Sequence, residues 1–453
     1  MQTNSEYVVK IEKMLYEGKS LARVDGFPIF IENGCPDDIV KVKVTKINKN
    51  YCFGEIVEII EPSKNRVKPI CPMHNVCGSC SWQYIDYQTQ LNQKILIANE
   101  TIKNITGKDV EINNIFSSPK TSEYRCKVQY PVSQTKVSKR ILSGYYKKNS
   151  HELINIKYCP MHSPEISDIV EEIKILFQEN DLTAYDEKKH TGLLRHIVVR
   201  QSSFNGKILI ILVINSQIID KKLKLIAQKL MQKYPNLTGV CANFNTKKSN
   251  VILGRETQVI QGSDYYIEKL DDISYKVSAN SFFQVNPLCA KQIFNRVKEL
   301  IVNNLNNPII LDAYSGVSSF GIWLSDIAQK VICVEEVETA TNDAKENLRL
   351  NNISNIEIYT GDANKNFQEF IKNGIMFDVS IIDPPRKGCG KEAIDTLIKL
   401  TKNYIIYVSC SVSTFARDMN YLAAYGFEPV SIELADMFPH TYHIETIALF
   451  KRK

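Results

Sequence analysis

Between residues 27 and 60 the apolar positions come in short bursts separated by turn formers. Ile29-Phe30-Ile31 is followed by Asn33-Gly34 and Pro36-Asp37, and then Val40, Val42 and Val44 alternate with Lys41, Lys43 and Thr45. A period of two puts the valines on one face of a strand and the lysines on the other. A further strand is predicted over 53–60. Short strands with turns between them predict a small β-barrel of the oligonucleotide-binding kind. Proline, serine, asparagine and basic residues cluster over 62–69, which marks a linker. The period then lengthens: Leu91, Ile95, Ile97, Ala98 and Ile102 recur at helical spacing over 87–105. In the middle of the chain, apolar runs at 197–199 and 208–214 flank the hairpin signal Asn205-Gly206. A helical face over 221–233 carries Leu223, Ile226, Ala227, Leu230 and Met231. From about residue 271 strand-like runs alternate with helical patterns, at 309–311, 331–334, 356–359, 379–382, 405–408, 431–434 and 445–450. That alternation predicts an α/β fold with a doubly wound, Rossmann-like sheet.

Composition changes this picture little. The 453 residues allow two to four domains, and 44% hydrophobic with 23% charged content suits packed cores. A net charge of +6 is dilute over this length and permits a nucleic-acid partner without demanding one. Residues 1–13 hold no signal-peptide core, and the apolar run at 208–214 is too short to span a bilayer. A soluble, cytoplasmic protein with no membrane partner is expected. In that compartment the twelve cysteines point to metal binding or catalysis rather than disulfides.

The candidate chemistry gathers at strand ends. Cys410 follows the apolar run 404–408 and precedes a helical pattern over 414–425. A helix amino terminus lowers a thiol pKa, so a nucleophilic thiolate is expected there. Asp383 opens Asp383-Pro384-Pro385-Arg386-Lys387-Gly388 after another apolar run, and Glu445 stands at the start of the last one. After the first strand comes Asp312-Ala313-Tyr314-Ser315-Gly316, a small-residue turn that lets a ligand approach the backbone. Glu335 ends the second strand and Gly361-Asp362 the third. With no two-glycine pyrophosphate turn, the layout suits S-adenosylmethionine better than NAD. Separately, Cys71, Cys77 and Cys80, with Cys159 further on, can hold a zinc ion or a [4Fe–4S] cluster; three near ligands plus a remote one lean to iron–sulfur. His74 and His162 are expected beside that site, and the remaining cysteines are read as structural.

These motifs converge on a family. Cys71-Pro72, Cys77-Gly78-Ser79-Cys80, Tyr124-Arg125, Leu194-Arg195-His196 and Phe282-Phe283-Gln284-Val285-Asn286 belong to the pattern, as do the turn after Asp312, the Asp383 motif, Ser409-Cys410, Ala416-Arg417-Asp418 and His443-Ile444-Glu445-Thr446. Over almost its whole length the chain resembles the RNA uridine-C5 methyltransferases, specifically the iron–sulfur 23S ribosomal-RNA branch with an N-terminal TRAM domain. The resemblance implies a TRAM barrel at 1–62, a central iron–sulfur domain at 63–270 and a methyltransferase domain at 271–453, with a helix near 85–115 packing on the last. It implies Cys410 as nucleophile and Glu445 as general base. Gln284, Tyr314, Glu335 and Asp383 would line the S-adenosylmethionine and uracil pocket, with Asp362 on the adenine side. Cys71, Cys77, Cys80 and Cys159 would bind a [4Fe–4S] cluster. A monomer acting on ribosomal RNA is expected. Transfer RNA is the alternative substrate, and a non-catalytic RNA-binding iron–sulfur protein the alternative function.

The chain departs from the family pattern at Ser318, where glycine is usual, and at Ser411-Val412, where Asn-Pro is usual. The first is expected to reshape the cofactor turn and the second the loop that presents the thiol. An amino-group methyltransferase is disfavoured because Arg386 stands where those enzymes carry an aromatic residue after Pro-Pro. Lys41, Lys43, Lys136, Lys139, Arg140, Lys147 and Lys148 can contact phosphates or simply face water.

Overall fold

The computed structural model describes residues 1–148 and 150–453. The N-terminal sheet comprises β1 (Glu6–Lys10), β2 (Lys13–Met14), β3 (Ser20–Val24), β4 (Phe27–Ile31), β5 (Ile39–Ile47) and β6 (Cys52–Glu61), in the order β1-β5-β6-β4-β3-β2. It curls round Val9, Ala22, Ile29, Ile31, Val40, Val42 and Val44, so the alternating valines do face inward. On the outer face Lys41 lies opposite Glu58 and Lys43 opposite Glu55. Cross-strand carboxylates therefore offset the basic stripe that the sequence suggests. Lys147 and Lys148 also sit beside carboxylates, at 3.9 Å from Glu152 and 3.0 Å from Glu32.

Helix α1 (Tyr87–Thr106) follows. Asp86 caps its start by accepting from the Thr89 amide, and Gly107 at φ 71° ends it. It packs on the C-terminal half of the chain rather than on the middle, as does β7 (Ile115–Phe116). The central sheet holds β8 (Lys127–Gln134), β9 (Ile141–Tyr146), β10 (Leu153–Asn155), β11 (Leu194–Gln201), β12 (Ile208–Ile214), β13 (Leu237–Phe244) and β14 (Glu256–Gly262), with α2 (Pro164–Glu179) and α3 (Lys221–Lys233) packed on it. All seven residues of β12 are buried, which is why its sequence is one unbroken apolar run. A hairpin of β15 (Tyr265–Leu270) and β16 (Ile273–Ser278) leads into α4 (Pro287–Val302).

The C-terminal sheet is the framework of the site. Its strands are β17 (Ile309–Ala313), β18 (Lys330–Glu335), β19 (Ile356–Thr360), β20 (Phe377–Ile382), β21 (Thr401–Ser409), β22 (Phe427–Ala435) and β23 (Glu445–Arg452). Their order is β19-β18-β17-β20-β21-β23-β22, with β7 on the outer edge. The first five are parallel and β23 runs antiparallel between β21 and β22. The helices α5 (Ser319–Trp323), α6 (Glu338–Leu350), α7 (Ala363–Lys372), α8 (Lys391–Leu400) and α9 (Val412–Ala424) connect them. Both faces of the sheet are covered, one by each of the two largest apolar clusters. This is the expected α/β class. Among the described residues no helix is long and apolar enough to cross a membrane.

Candidate active site

Parallel strands in register end together, and their ends carry the polar groups. Ala313 pairs with Ile382, so the residues just beyond, Tyr314 and Asp383, emerge side by side. The antiparallel partner completes the set. Ser409 pairs with Thr446, so Cys410 and Glu445 are the next facing positions at that end of the sheet. Cys410 is half-buried, and Glu445 is only 8% exposed. The Glu445 carboxyl is pushed up to about 8 by burial first and by Asp383 second, with Arg386 opposing. Burial pushes Asp383 up to about 7.

The thiol differs from expectation. Burial, then the charges of Glu445 and Asp383, raise Cys410 to about 11, against a lowering by Arg386. Cys410 precedes the N-cap of α9, which is Ser411, and desolvation outweighs the helix terminus. Ser411 accepts a hydrogen bond from the Thr414 amide at 3.5 Å. The Ser-Val departure thus keeps a capping side chain at the position where Asn-Pro is usual. His443, between Tyr442 and Ile444, is driven down to about 4 by burial and by Arg386, so it is a neutral imidazole at pH 7. The charge of Arg386 acts on Glu445, Cys410 and His443, yet in the sequence it stood out only as a missing aromatic residue. Its place directly after Asp383-Pro384-Pro385 was the available signal.

Two supports hold the site, one built on Asp418 of the Ala416-Arg417-Asp418 motif, to which sequence reasoning assigned no role, and one on Lys94, which it did not single out. Asp418 on α9 is fully buried and accepts from the Tyr407 hydroxyl at 2.8 Å and the Cys389 amide at 2.9 Å. It ties the loop after Asp383 to the strand that carries Cys410. Gly388 in that loop has φ +76°, and a Cβ there would lie 2.6 Å from both Asp418 Oδ2 and Arg417 Nη2. Gly388→Ala is therefore expected to cost about 1–3 kcal/mol and to slow methyl transfer, read by thermal unfolding and a turnover assay. Lys94 on α1 forms the second support. It is fully buried and meets Asp436 at 2.5 Å, with the Phe438 carbonyl also accepting at 3.2 Å. That ion pair, with Gln90 accepting from the His440 amide at 2.8 Å, anchors the loop 436–443 leading to Glu445.

The turn after β17, where the cofactor is expected, is rich in left-handed backbone. Tyr314, Gly316 and Ser318 all have φ near +60°. The buried hydroxyls of Ser315 and Ser318 have no hydrogen-bond partner. Glu335 accepts from the Gly316 amide at 2.9 Å and from the Val337 amide at 2.9 Å. A small turn, two unpartnered hydroxyls and an acidic second strand end suit the adenosine and amino-acid parts of S-adenosylmethionine. Asp362 is exposed, and its side chain caps α7 by accepting from the Lys365 amide. Gln284 lies in the loop before α4, whose backbone is docked on Cys126. Asn286 next to it donates to the Met437 carbonyl at 3.1 Å. Asp312, pushed up to about 7 by burial, accepts from the Gly321 amide at 2.8 Å beneath the turn.

Ser318 holds a left-handed conformation that costs an L-residue about 1–2 kcal/mol. Ser318→Gly is expected to raise stability by up to about 1 kcal/mol after the loss of chain entropy, seen as a higher urea midpoint. A lower midpoint would mean that its hydroxyl makes a bond that repays the strain.

Cys71, Cys77, Cys80 and Cys159 line one cavity together with His74, Arg125 and Tyr145. Burial pushes Cys80 to about 12 and Cys159 to about 11. Both ring nitrogens of His74 and the Nε of Arg125 are buried without partners. Among the described residues no group of three His, Cys, Asp or Glu is arranged to hold a metal ion. The two observations differ because lining a shared cavity asks less than converging on one point. The donor set suits a bulky anionic cluster: soft sulfurs, and an adjacent guanidinium with a free donor.

Comparison with known proteins fits this geometry. The sequence profile of the family described as tRNA (uracil-5-)-methyltransferase matches residues 86–453, and that of the TRAM domain matches residues 2–57. A protein named an uncharacterized RNA methyltransferase from Bacillus cereus is 33% identical over 452 residues, covering 100% of this chain and 98% of the relative. One of the same description from Oceanobacillus iheyensis is 35% identical over 447 residues, covering 98% and 96%. Among solved structures, the Pyrococcus abyssi tRNA (uracil-54, C5)-methyltransferase in complex with S-adenosyl-L-homocysteine superposes with a TM-score of 0.74 at 25% identity, covering 98% of this chain and 100% of that one. The chain belongs to the TRAM-domain-containing RNA uracil-C5 methyltransferases.

Proposed function

We propose that Cys410 is the nucleophile and Glu445 the base of a uridine C5 methylation. The facing of Cys410 and Glu445 across β21 and β23 carries this reading. The Cys410 thiol gives its proton to solvent, the thiolate adds to carbon 6 of the uracil, and carbon 5, made nucleophilic, attacks the methyl group and displaces S-adenosylhomocysteine. S-adenosylmethionine supplies the methyl group as an electrophilic sulfonium. The Glu445 carboxylate then takes the proton of carbon 5, the carbon–sulfur bond breaks, and the thiolate leaves. Arg386 favours the ionised thiol. Asp383, Tyr314 and Gln284 orient the uracil and the methyl donor, Glu335 holds the ribose of the cofactor, and Asp362 stands on the adenine side. The uridine leaves its stack to enter.

For the RNA, the descriptions of the matching family and of the archaeal relative support transfer RNA over the ribosomal RNA expected from the sequence. Ribosomal RNA is the second reading, supported by the resemblance of the cysteine spacing and N-terminal domain to that branch. The chain works as units at 1–62, 63–270 and 271–453, with α1 and β7 joined to the last. Cys71, Cys77, Cys80 and Cys159 would hold a [4Fe–4S] cluster, joining the 71–80 loop to the segment between β10 and α2.

One experiment tests the reaction and the RNA class together. Total transfer RNA and ribosomal RNA from a strain lacking the gene are incubated separately with the protein and radiolabelled S-adenosylmethionine. Label in 5-methyluridine from one pool identifies the class; label in neither pool, from protein shown to be folded, overturns the reaction. An anaerobic preparation should be brown with about four irons per chain; a colourless one with stoichiometric zinc would reverse the metal assignment.

A further inference from the structure

The N-terminal sheet has an aromatic face that its own core does not use. Ile29 and Ile31 of β4 point into the apolar core, so Phe30 between them points out. Phe53 of β6 is its direct cross-strand neighbour, and Tyr51 in the turn before β6 closes over both. Phe30 and Tyr51 are stacked at 5.0 Å with planes 27° apart, and Phe53 meets Tyr51 edge-on at 5.5 Å. All three rings are partly exposed. Lys19 Nζ lies 5.2 Å from the Phe53 ring centre, and Lys46 is opposite Phe53 in register. Unlike Lys41, which sits 3.7 Å from Glu58, Lys19 and Lys46 form no ion pair among the described residues.

The chain and two ring contacts lead from Lys19 toward the active site. Lys19 directly follows a short turn, Tyr16–Gly18, whose Tyr16 ring meets Tyr442 at 5.8 Å. Tyr442 in turn lies 4.5 Å from His443, two residues before Glu445.

We propose that Phe30, Tyr51 and Phe53, with Lys19 beside them, form a stacking site for an unpaired base of the RNA substrate outside the methylation pocket. The inference rests on the RNA reading above. Aromatic faces accept any base, and unpaired cations beside them attract the phosphates that flank it. A duplex keeps its bases stacked on one another, so the site selects single-stranded RNA. Lys19, which follows the turn whose Tyr16 meets Tyr442, links the rings to the loop before Glu445, so the site can hold another nucleotide of the same RNA while the catalytic groups act.

The test uses the full chain carrying Phe30→Leu, Tyr51→Leu and Phe53→Leu together, which keeps apolar bulk and removes the rings. Methyl transfer to RNA from a strain lacking the gene should show a KM for RNA raised about 5- to 100-fold, with kcat at saturation and KM for S-adenosylmethionine within about 2-fold. Anisotropy of a labelled oligouridylate should show the same loss, with little change for its duplex with oligoadenylate. Lys19→Gln, which threatens no core, should weaken oligouridylate binding and lower its salt dependence by about one ion. Unchanged KM and unchanged oligouridylate affinity in a triple variant with wild-type thermal stability would overturn the stacking site. If the triple variant melts early, the Lys19→Gln result decides. Absence of methylation by the wild-type protein on every RNA would instead strike the reaction itself.

Discussion

Cys410→Ala is expected to abolish methyl transfer, with turnover reduced about 10⁴-fold or more. The same change should remove the covalent band that wild-type protein forms with RNA containing 5-fluorouridine on a denaturing gel. Both outcomes follow from one bond. Fluorine at carbon 5 cannot leave as a proton, so the adduct between Cys410 sulfur and carbon 6 persists. The substitution is small, and Cys410 is half-buried at a strand end rather than packed in a core. Folding should survive, and S-adenosylmethionine binding should be unchanged. Methylation at the normal rate without this thiol would sink the mechanism.

Glu445→Gln should separate the steps. The amide has the shape of the acid but accepts no proton, so turnover should fall about 10²- to 10⁴-fold. Bond formation to carbon 6 is left intact, and methylated RNA should accumulate as a covalent complex even with ordinary uridine. The pH profile carries a second signature. The raised Glu445 pKa of about 8 means that the base-competent carboxylate grows in as pH rises through about 8. In the wild type, methyl transfer should climb with an inflection near pH 8; in the variant that inflection should vanish and leave only the rise from ionisation of the Cys410 thiol. Stability moves the other way. Between 4.5 and about 8 the folded protein holds a proton on Glu445 that the unfolded chain has lost. By linkage, that contribution is full below pH 4.5 and disappears as pH rises through about 8. Asp383 and Asp312, both raised from 3.8 to about 7, add in the same direction. The variant should therefore lose less stability than the wild type between pH 6 and 9, measured by thermal unfolding.

Much of the architecture was legible in the chain. Continuous apolar runs such as 331–334 and 405–408 belong to strands buried on both faces, and they coincide with β18 and β21. The alternating valines of β5 gave its inner face at once. Short pairings were not legible. β7 is two residues long and owes its conformation to β22, more than 300 positions away. The charge pairing was illegible for the same reason. Nothing local to Lys94 announces Asp436 at the site, and nothing local to Lys41 announces Glu58 on the N-terminal sheet. The thiol shows the limit most clearly. Sequence placed Cys410 before a helix and implied an easily ionised sulfur, but the three-dimensional surroundings bury it beside two carboxyls and raise its pKa instead.

Residue order alone determined the strand–helix alternation, the inward face of the N-terminal strands and the strand-end positions of Cys410, Asp383 and Glu445, because periodicity and turn chemistry are local properties. Tertiary structure decided which charges meet, which sulfurs share a cavity and which aromatic rings stay uncovered. Those depend on desolvation and on contacts between segments separated by from about twenty to more than three hundred residues, and no local periodicity links the partners.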